Sequence, residues 1–264
     1  MKHQLLKYAL FFFVLPFGRA QNVFQLAPPY LRYESVFFEK AAVVKLEFAQ
    51  SGTKIHYTTN GQAPTDRDPV YTKPIQVKNN LTTLKAKVFG AGFLPSEVVE
   101  AIFYKQGLAI ESISTTLPHE RYPGSGKTAL IDGKGGNKIL NSNAWIGFQT
   151  DTVLLKATLA KPQKVKQVML HVLQNQGAWI FLPQKVEVYG ARNGSDEWEL
   201  LGEKSFEIPP KAEKEQCRAI FIDLKECPKT TQIILKVYPL ATLPEWHPGK
   251  GNAAWLFMDE VKLY

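Results

Sequence analysis

Leu243–Tyr264 reads LPEWHPGKGNAAWLFMDEVKLY, and the fold reading starts there. Its first half, Leu243 to Asn252, holds two prolines, two glycines, a tryptophan and a histidine. That composition makes a rigid loop carrying large side chains, not the interior of an element. Its second half, Ala253 to Tyr264, reads as a buried strand with an acid, Glu260, among apolar neighbours. A terminal strand holds best when it is paired on both sides, because a loose terminus frays. The expectation is that this strand closes a β-sandwich and that the loop before it helps to form a ligand surface.

An isolated carboxylate in an apolar strand is strongly disfavoured, so Glu260 needs a partner. Three are open: a metal ion, a lysine or arginine, or water at a sheet edge. Strand alternation puts Asp259 on the opposite, exposed face. A second acid lies in ALIDGKGG, Ala129 to Gly136. The glycines let the backbone fold tightly, and Asp132 could serve a hard cation beside exposed carbonyls. Taken alone, an Asx-turn at Asp132 with no metal explains the loop as well.

The 264 residues suffice for one large or two small domains. Residues 1–20, MKHQLLKYALFFFVLPFGRA, carry Lys2 and Lys7 before an apolar core too short to span a bilayer. Small residues at Gly18 and Ala20 predict a signal peptide cleaved after Ala20 and a secreted protein, in the periplasm or at the surface of a bacterium. Cleavage removes three of the 32 lysines and arginines and leaves +5 against 24 acids. The lysines are scattered, which excludes the basic stripe of a nucleic-acid binder. No other apolar run is long enough to cross a membrane. The two cysteines, Cys217 and Cys227, flank a predicted strand. Seven strand residues span roughly 23 Å, and a disulfide needs Cα atoms within about 7 Å. Two free thiols are expected unless the chain turns back early.

From Val23 to Lys105 short strands and turns follow one another. Val43–Phe48, Lys54–Thr59, Thr82–Phe89 and Val98–Tyr104 are strands, and Asn60-Gly61 signals a hairpin. No stretch shows capped helical periodicity. Gln106 to Leu108 marks a boundary. Beyond it, Asn143–Phe148, Val153–Leu159, Val165–Val172, Trp179–Tyr189, Arg218–Leu224 and Gln232–Tyr238 are strands, with a turn over Gly190–Trp198. Some eight strands with long, varied loops fit a jelly-roll sandwich. The fold class is therefore all-β throughout, in two parts, 21–106 and 107–264.

Two resemblances sharpen this. The run IHYTTNGQAPTDRDPVYTKPIQV with TTLKAKVFGAGFLPSEVV, within Phe24 to Lys105, resembles the fibronectin-III-associated module found beside bacterial hexosaminidase-type glycoside hydrolases, usually a spacer. The succession IDGKGG, AWIGF, LQNQGAWIFLPQKVEVYGARNG and PEWHPGKGNAAWLFMDEVKLY resembles a discoidin, or coagulation-factor C-type, domain over Gly107–Tyr264. That resemblance implies a carbohydrate- or surface-binding sandwich, with a structural calcium ion shared between Asp132 and Glu260. In galactose-binding relatives the loop before Trp179 supplies an arginine and an asparagine. Here it holds Gln174 and Asn175, so galactose specificity does not carry over.

Sugar rings pack their C–H faces on aromatic rings and need directional polar groups for their hydroxyls. Trp246 and His247 in the last loop are the leading candidates. Trp179, Gln174 and Trp145 follow, although Trp145, like Trp255, suits a core strand. No Gly-x-Ser-x-Gly, His-Glu-x-x-His or Cys-x-x-Cys is present, and PGSGKT at Pro123 lacks the spacing of a phosphate loop. Two sandwiches leave no residues for a catalytic domain. The sequence thus points to a non-catalytic glycan-binding protein. Two other readings are an adhesion module for a protein partner and an accessory to a glycoside hydrolase.

Overall fold

The computed structural model describes residues 24–126, 128–191, 197–226 and 229–264. The expected signal peptide, Lys127 of the PGSGKT run, most of the turn after Gly190, and Cys227 lie outside them. The described chain is almost entirely β-structure, as the patterning predicts.

The first part contributes seven strands: β1 (Tyr30–Arg32), β2 (Phe37–Phe38), β3 (Ala42–Glu47), β4 (Thr53–Thr58), β5 (Ile75–Val77), β6 (Leu81–Gly90) and β7 (Val99–Lys105). They form a three-stranded sheet, β1-β3-β5, and a four-stranded one, β2-β7-β6-β4. In β3 every second residue is buried, so Ala42, Val44 and Leu46 face Leu84, Ala86 and Phe103 of the other sheet. Asn60-Gly61 makes a turn, with Gly61 at φ 81°. It is not a two-residue hairpin. β4 pairs with β6, and the chain after the turn comes back along β4 only near Val70 before crossing to the other sheet as β5. A local Asn-Gly signal fixes the turn; the pairing is decided by which apolar faces can meet.

The second part contributes β8 (Ser112–Thr115), β9 (Ile146–Phe148), β10 (Val153–Gln163), β11 (Gln167–Gln174), β12 (Lys185–Ala191), β13 (Trp198–Ser205), β14 (Gln216–Asp223), β15 (Thr230–Tyr238) and β16 (Leu256–Leu263). A five-stranded sheet, β13-β12-β15-β10-β8, packs on a four-stranded one, β14-β11-β16-β9. The last strand does sit inside its sheet, between β11 and β9. The strand expected from Trp179 begins only at Lys185. Residues Gln176–Ala178 form a 3-10 turn, and Pro183 cannot donate to a ladder.

β11 and β16 are buried on both faces. Val168, Leu170, Val172, Leu256, Met258, Val261 and Leu263 enter the sandwich core. The opposite face of the sheet is covered by the first sandwich: Phe37 and Tyr104 pack on Met169, beside Val36, Phe221 and Tyr264. The register corrects one expectation. His171 pairs with Glu260 and Val172 with Met258, so Asp259 is the extra residue of a β-bulge. A bulge breaks alternation. Asp259 and Glu260 are both fully buried, and neither side chain is in the sandwich core.

Candidate functional site

Strand pairing brings one set of loops together. Gln174 at the end of β11 faces Gln216 at the start of β14, Leu173 faces Phe257, and Leu256 faces Phe148 at the end of β9. The segments 175–184, 206–215 and 239–255 therefore converge on one end of the four-stranded sheet. The segment 117–123 flanks it, joined to β9 by the His119 N–H to Gly147 O and Gly147 N–H to Tyr122 O bonds.

Trp179 stands out on this rim. It follows the 3-10 turn and caps it with φ 67°, the only non-glycine residue at positive φ among the described residues. A bulky residue there is strained, and such strain persists only where the surroundings hold it. The indole is 37% exposed. A Cβ on Gly249 would lie 2.7 Å from the ring, so glycine at that position lets the loop backbone support it. The Trp179 carbonyl accepts the N–H of Trp255 at 2.8 Å. Trp255 is half-buried and meets His119 and Tyr122 edge-on, with centroids 4.9 and 5.2 Å away.

Beside Tyr122 a cleft of about 150 Å³ is lined by Arg121, Asn141, Ser142 and Asn143, with Trp145 at its floor. The Ser142 hydroxyl is buried and meets no hydrogen-bond partner among the described residues. The side chains of Asn141 and Asn143 make no hydrogen bond among the described residues. Arg121 holds its guanidinium 5.4 Å over the Tyr122 ring. The Arg121 N–H donates to His119 Nδ1 at 3.2 Å, which leaves Nε2 to carry the proton of the neutral ring. Aromatic edges, free amides, a cation and an unmet hydroxyl are what a hydroxylated ligand needs.

Of the residues read from sequence, Trp179 is on the rim and accessible. The others are placed differently. His247 is 5% exposed. Its Nδ1 accepts the Gly249 N–H at 3.0 Å, so Nε2–H donates to Gln176 O at 2.8 Å, and both nitrogens are spent. Trp246 is half-buried against Phe181, Leu240 and Leu243, and its indole N–H donates to Pro209 O at 2.7 Å. This pair plugs the sandwich end rather than forming an open platform. Gln174 is 1% exposed. Its amide donates to Glu213 at 2.5 Å and accepts from Arg218 at 3.3 Å. It lines a second cleft, of about 190 Å³, in which Gln174, Gln176, Glu213 and Arg218 are joined by hydrogen bonds. Trp145 is 1% exposed and donates from its indole to Asn137 O at 2.8 Å, so it cannot offer a face to a sugar. Sequence reading missed His119 and Tyr122; Trp255, expected in the core, packs against the Trp145, Leu173, Ile180 and Phe257 cluster and also meets both of them at the rim. The proline- and glycine-rich run LPHERYPGSG was the available signal.

The expected metal ligands have other partners. Glu260 receives the Lys262 ammonium at 2.7 Å and the Gly133 N–H at 2.9 Å. Burial pushes its carboxyl up to about 7, with Lys262 opposing the shift. Asp132 accepts the Lys134 N–H at 2.8 Å, an Asx-turn, and the Ser125 hydroxyl at 3.3 Å. Asp259 accepts from His171 Nδ1 at 2.6 Å and from the Gly136 N–H. No group of three metal-ligating side chains occurs among the described residues. Calcium takes six to eight oxygens. These carboxylates face donors instead, so the set does not fit the ion. Cys217 is free, and burial pushes its thiol up to about 12, which disfavours the thiolate.

The motif residues of the first part form β4, β5 and β6 and end where β7 begins. Residues 34–100 match the family model of the Chitobiase/beta-hexosaminidase C-terminal domain. The match spans β2 to β6 of the first sandwich and reaches the start of β7. No curated protein matches the chain. Solved structures similar to it include a Ruminococcus gnavus GH29 fucosidase in complex with fucose, 13% identical, TM-score 0.34, covering 58% of this chain and 25% of that one. Others are chitosan-binding module 1 from a Paenibacillus chitosanase/glucanase, 11%, TM-score 0.37, covering 60% and 96%, and the C-terminal domain of a Bacteroides fragilis chitobiase, 18%, TM-score 0.35, covering 59% and 91%. The chain thus spans about a quarter of the length of the fucosidase. No helix among the described residues is long and apolar enough to cross a membrane.

Proposed function

We propose that this is an exported, non-catalytic glycan-binding protein whose second sandwich holds sugar at the Trp179–Trp255–Tyr122 rim. The chitobiase/hexosaminidase-type module would serve as a spacer toward a glycoside hydrolase partner. The observation that carries the reading is Trp179, a half-exposed indole fixed in a strained conformation and joined through Trp255 to Tyr122, which lines a cleft with unmet hydrogen-bond capacity. A glycan would lie along the rim, packing one ring on the indole and turning the hydroxyls of others toward His119 Nε2–H and the Asn141–Asn143 cleft. One shallow site of this kind supplies about 4–5 kcal/mol, hence dissociation constants of roughly 0.1–1 mM.

Residues 21–264 should be screened against oligosaccharides, N-acetylhexosamine oligomers among them, with and without a chelator. Trp179→Gly is the decisive variant, because glycine takes positive φ without strain. The expected result is binding weakened at least about tenfold with Tm lowered by no more than a few degrees. Unchanged affinity in a folded Trp179→Gly protein would refute the rim. Turnover of aryl glycosides would refute the non-catalytic reading.

A further inference from the structure

We propose that Lys262 is a built-in cation that takes the place of bound calcium between Glu260 and the 131–137 loop, and that this ion-paired cluster latches the first sandwich onto the second. The inference stands apart from glycan binding.

The loop presents the wrong polarity for a metal. Its Gly133 and Gly136 N–H groups, not its carbonyls, point at Glu260 and Asp259. The Gly133 carbonyl turns the other way and accepts the Ser35 hydroxyl of the first sandwich at 2.7 Å. Where a cation would sit, the Lys262 ammonium is already placed. It is 2.7 Å from Glu260 Oε1, 5.2 Å from the centre of the Phe37 ring, and its residue is 4% exposed. The ammonium thus takes up Glu260 Oε1, and the Gly133 N–H takes up Oε2, which leaves this carboxylate no free oxygen for a second cation.

The same groups join the two sandwiches. Phe37 covers Lys262 and meets His171 edge-on at 5.3 Å, while Tyr104 lies 6.0 Å from His171. His171 in turn donates to Asp259. Gly135 is held so close that a Cβ would come within 2.5 Å of Val36 Cγ2. Residues 35–37 thus close over Lys262 and the loop whose N–H groups hold Glu260 and Asp259. A buried ion pair is expensive to break from one side, because the remaining charge stays buried.

The test uses residues 21–264. Differential scanning calorimetry in excess EDTA and in millimolar calcium chloride should give the same Tm, and terbium should show no saturable luminescence. Lys262→Met should lower Tm by roughly 10 °C, with no rescue by calcium. Amide exchange gives a readout that does not depend on that variant folding. Gly133 and Gly136 should be protected in EDTA, and Phe37→Ala should speed their exchange while leaving β10 and β15 protected. Saturable stabilisation by calcium, calcium-dependent protection of those two amides, an unchanged Tm in Lys262→Met, or unaltered exchange in Phe37→Ala would each overturn the proposal.

Discussion

Two regions of the second sandwich use the same kinds of residue. On the outer face of the four-stranded sheet, Trp145, His171, Asp259, Glu260 and Lys262 are buried, and the indole, imidazole, acid and ammonium groups meet partners within the protein. At the end of that sheet, Trp179 is half-exposed, and among the described residues nothing meets His119 Nε2–H or the Ser142 hydroxyl. The difference is in what remains unsatisfied. A matched set of polar groups holds a structure together and has nothing left for a ligand. An unmatched set is costly on its own and gains when a ligand arrives.

The comparison breaks most visibly at Trp145. If it belongs to the matched region, Trp145→Ala creates a cavity and costs about 3–5 kcal/mol. For a chain of this size that is a fall in Tm of roughly 10 °C. Thermal unfolding checks it; a small fall would mean that the indole is not part of the packed face.

Two histidines sharpen the contrast. His247→Ala removes two buried hydrogen bonds and the ring 6.3 Å from Trp179, so stability should fall by about 1–3 kcal/mol and sugar binding should weaken with it. His119→Ala should leave stability within about 0.5 kcal/mol and weaken binding several-fold. Paired unfolding and binding titrations separate the two; equal behaviour would erase the distinction between plug and platform.

Glu260 gives the buried face a pH dependence. Its carboxyl is raised by burial to about 7, above the ordinary 4.5 of an unfolded chain. Between those values the folded protein binds the extra proton, so this group's contribution to stability falls as pH rises from about 4.5 to 7 and is level beyond. Glu260→Gln lacks the titration. The Tm of the variant minus that of the wild type should therefore increase from pH 5 to pH 7. A flat difference would show that Glu260 is ionised across the range.

Much of the architecture was legible because apolar periodicity reports it directly. The terminal strand, the burial of Glu260 and the β-pattern of both parts follow from spacing alone. Asp259 was misjudged because a bulge inserts one residue without any mark in the sequence, and alternation then fails for its neighbour. Asn60-Gly61 showed its turn but not the partner of β4, since pairing depends on faces distant in sequence. Trp246 and His247 sit in a loop rich in proline and glycine, and such a loop plugs an end or presents a surface with the same composition. Tyr122 meets Trp255 across 133 positions of chain, and no local pattern encodes that contact.

The smallest effect expected is the most discriminating. Ser142 already makes the backbone bonds of its turn, its N–H to Ile139 O at 3.0 Å and its carbonyl from Trp145 at 3.4 Å, and Ser142→Ala keeps both. The hydroxyl is buried and makes no hydrogen bond among the described residues. Its removal should leave stability level or raise it by up to about 1 kcal/mol. If a sugar hydroxyl satisfies it in the complex, the loss is one hydrogen bond of about 0.5–1.5 kcal/mol, a two- to tenfold weaker affinity. Stability and binding then move in opposite directions on the loss of a single oxygen atom. A group of the matched kind would lower both, so a fall in Tm would return Ser142 to the packed face and remove the cleft from the binding surface.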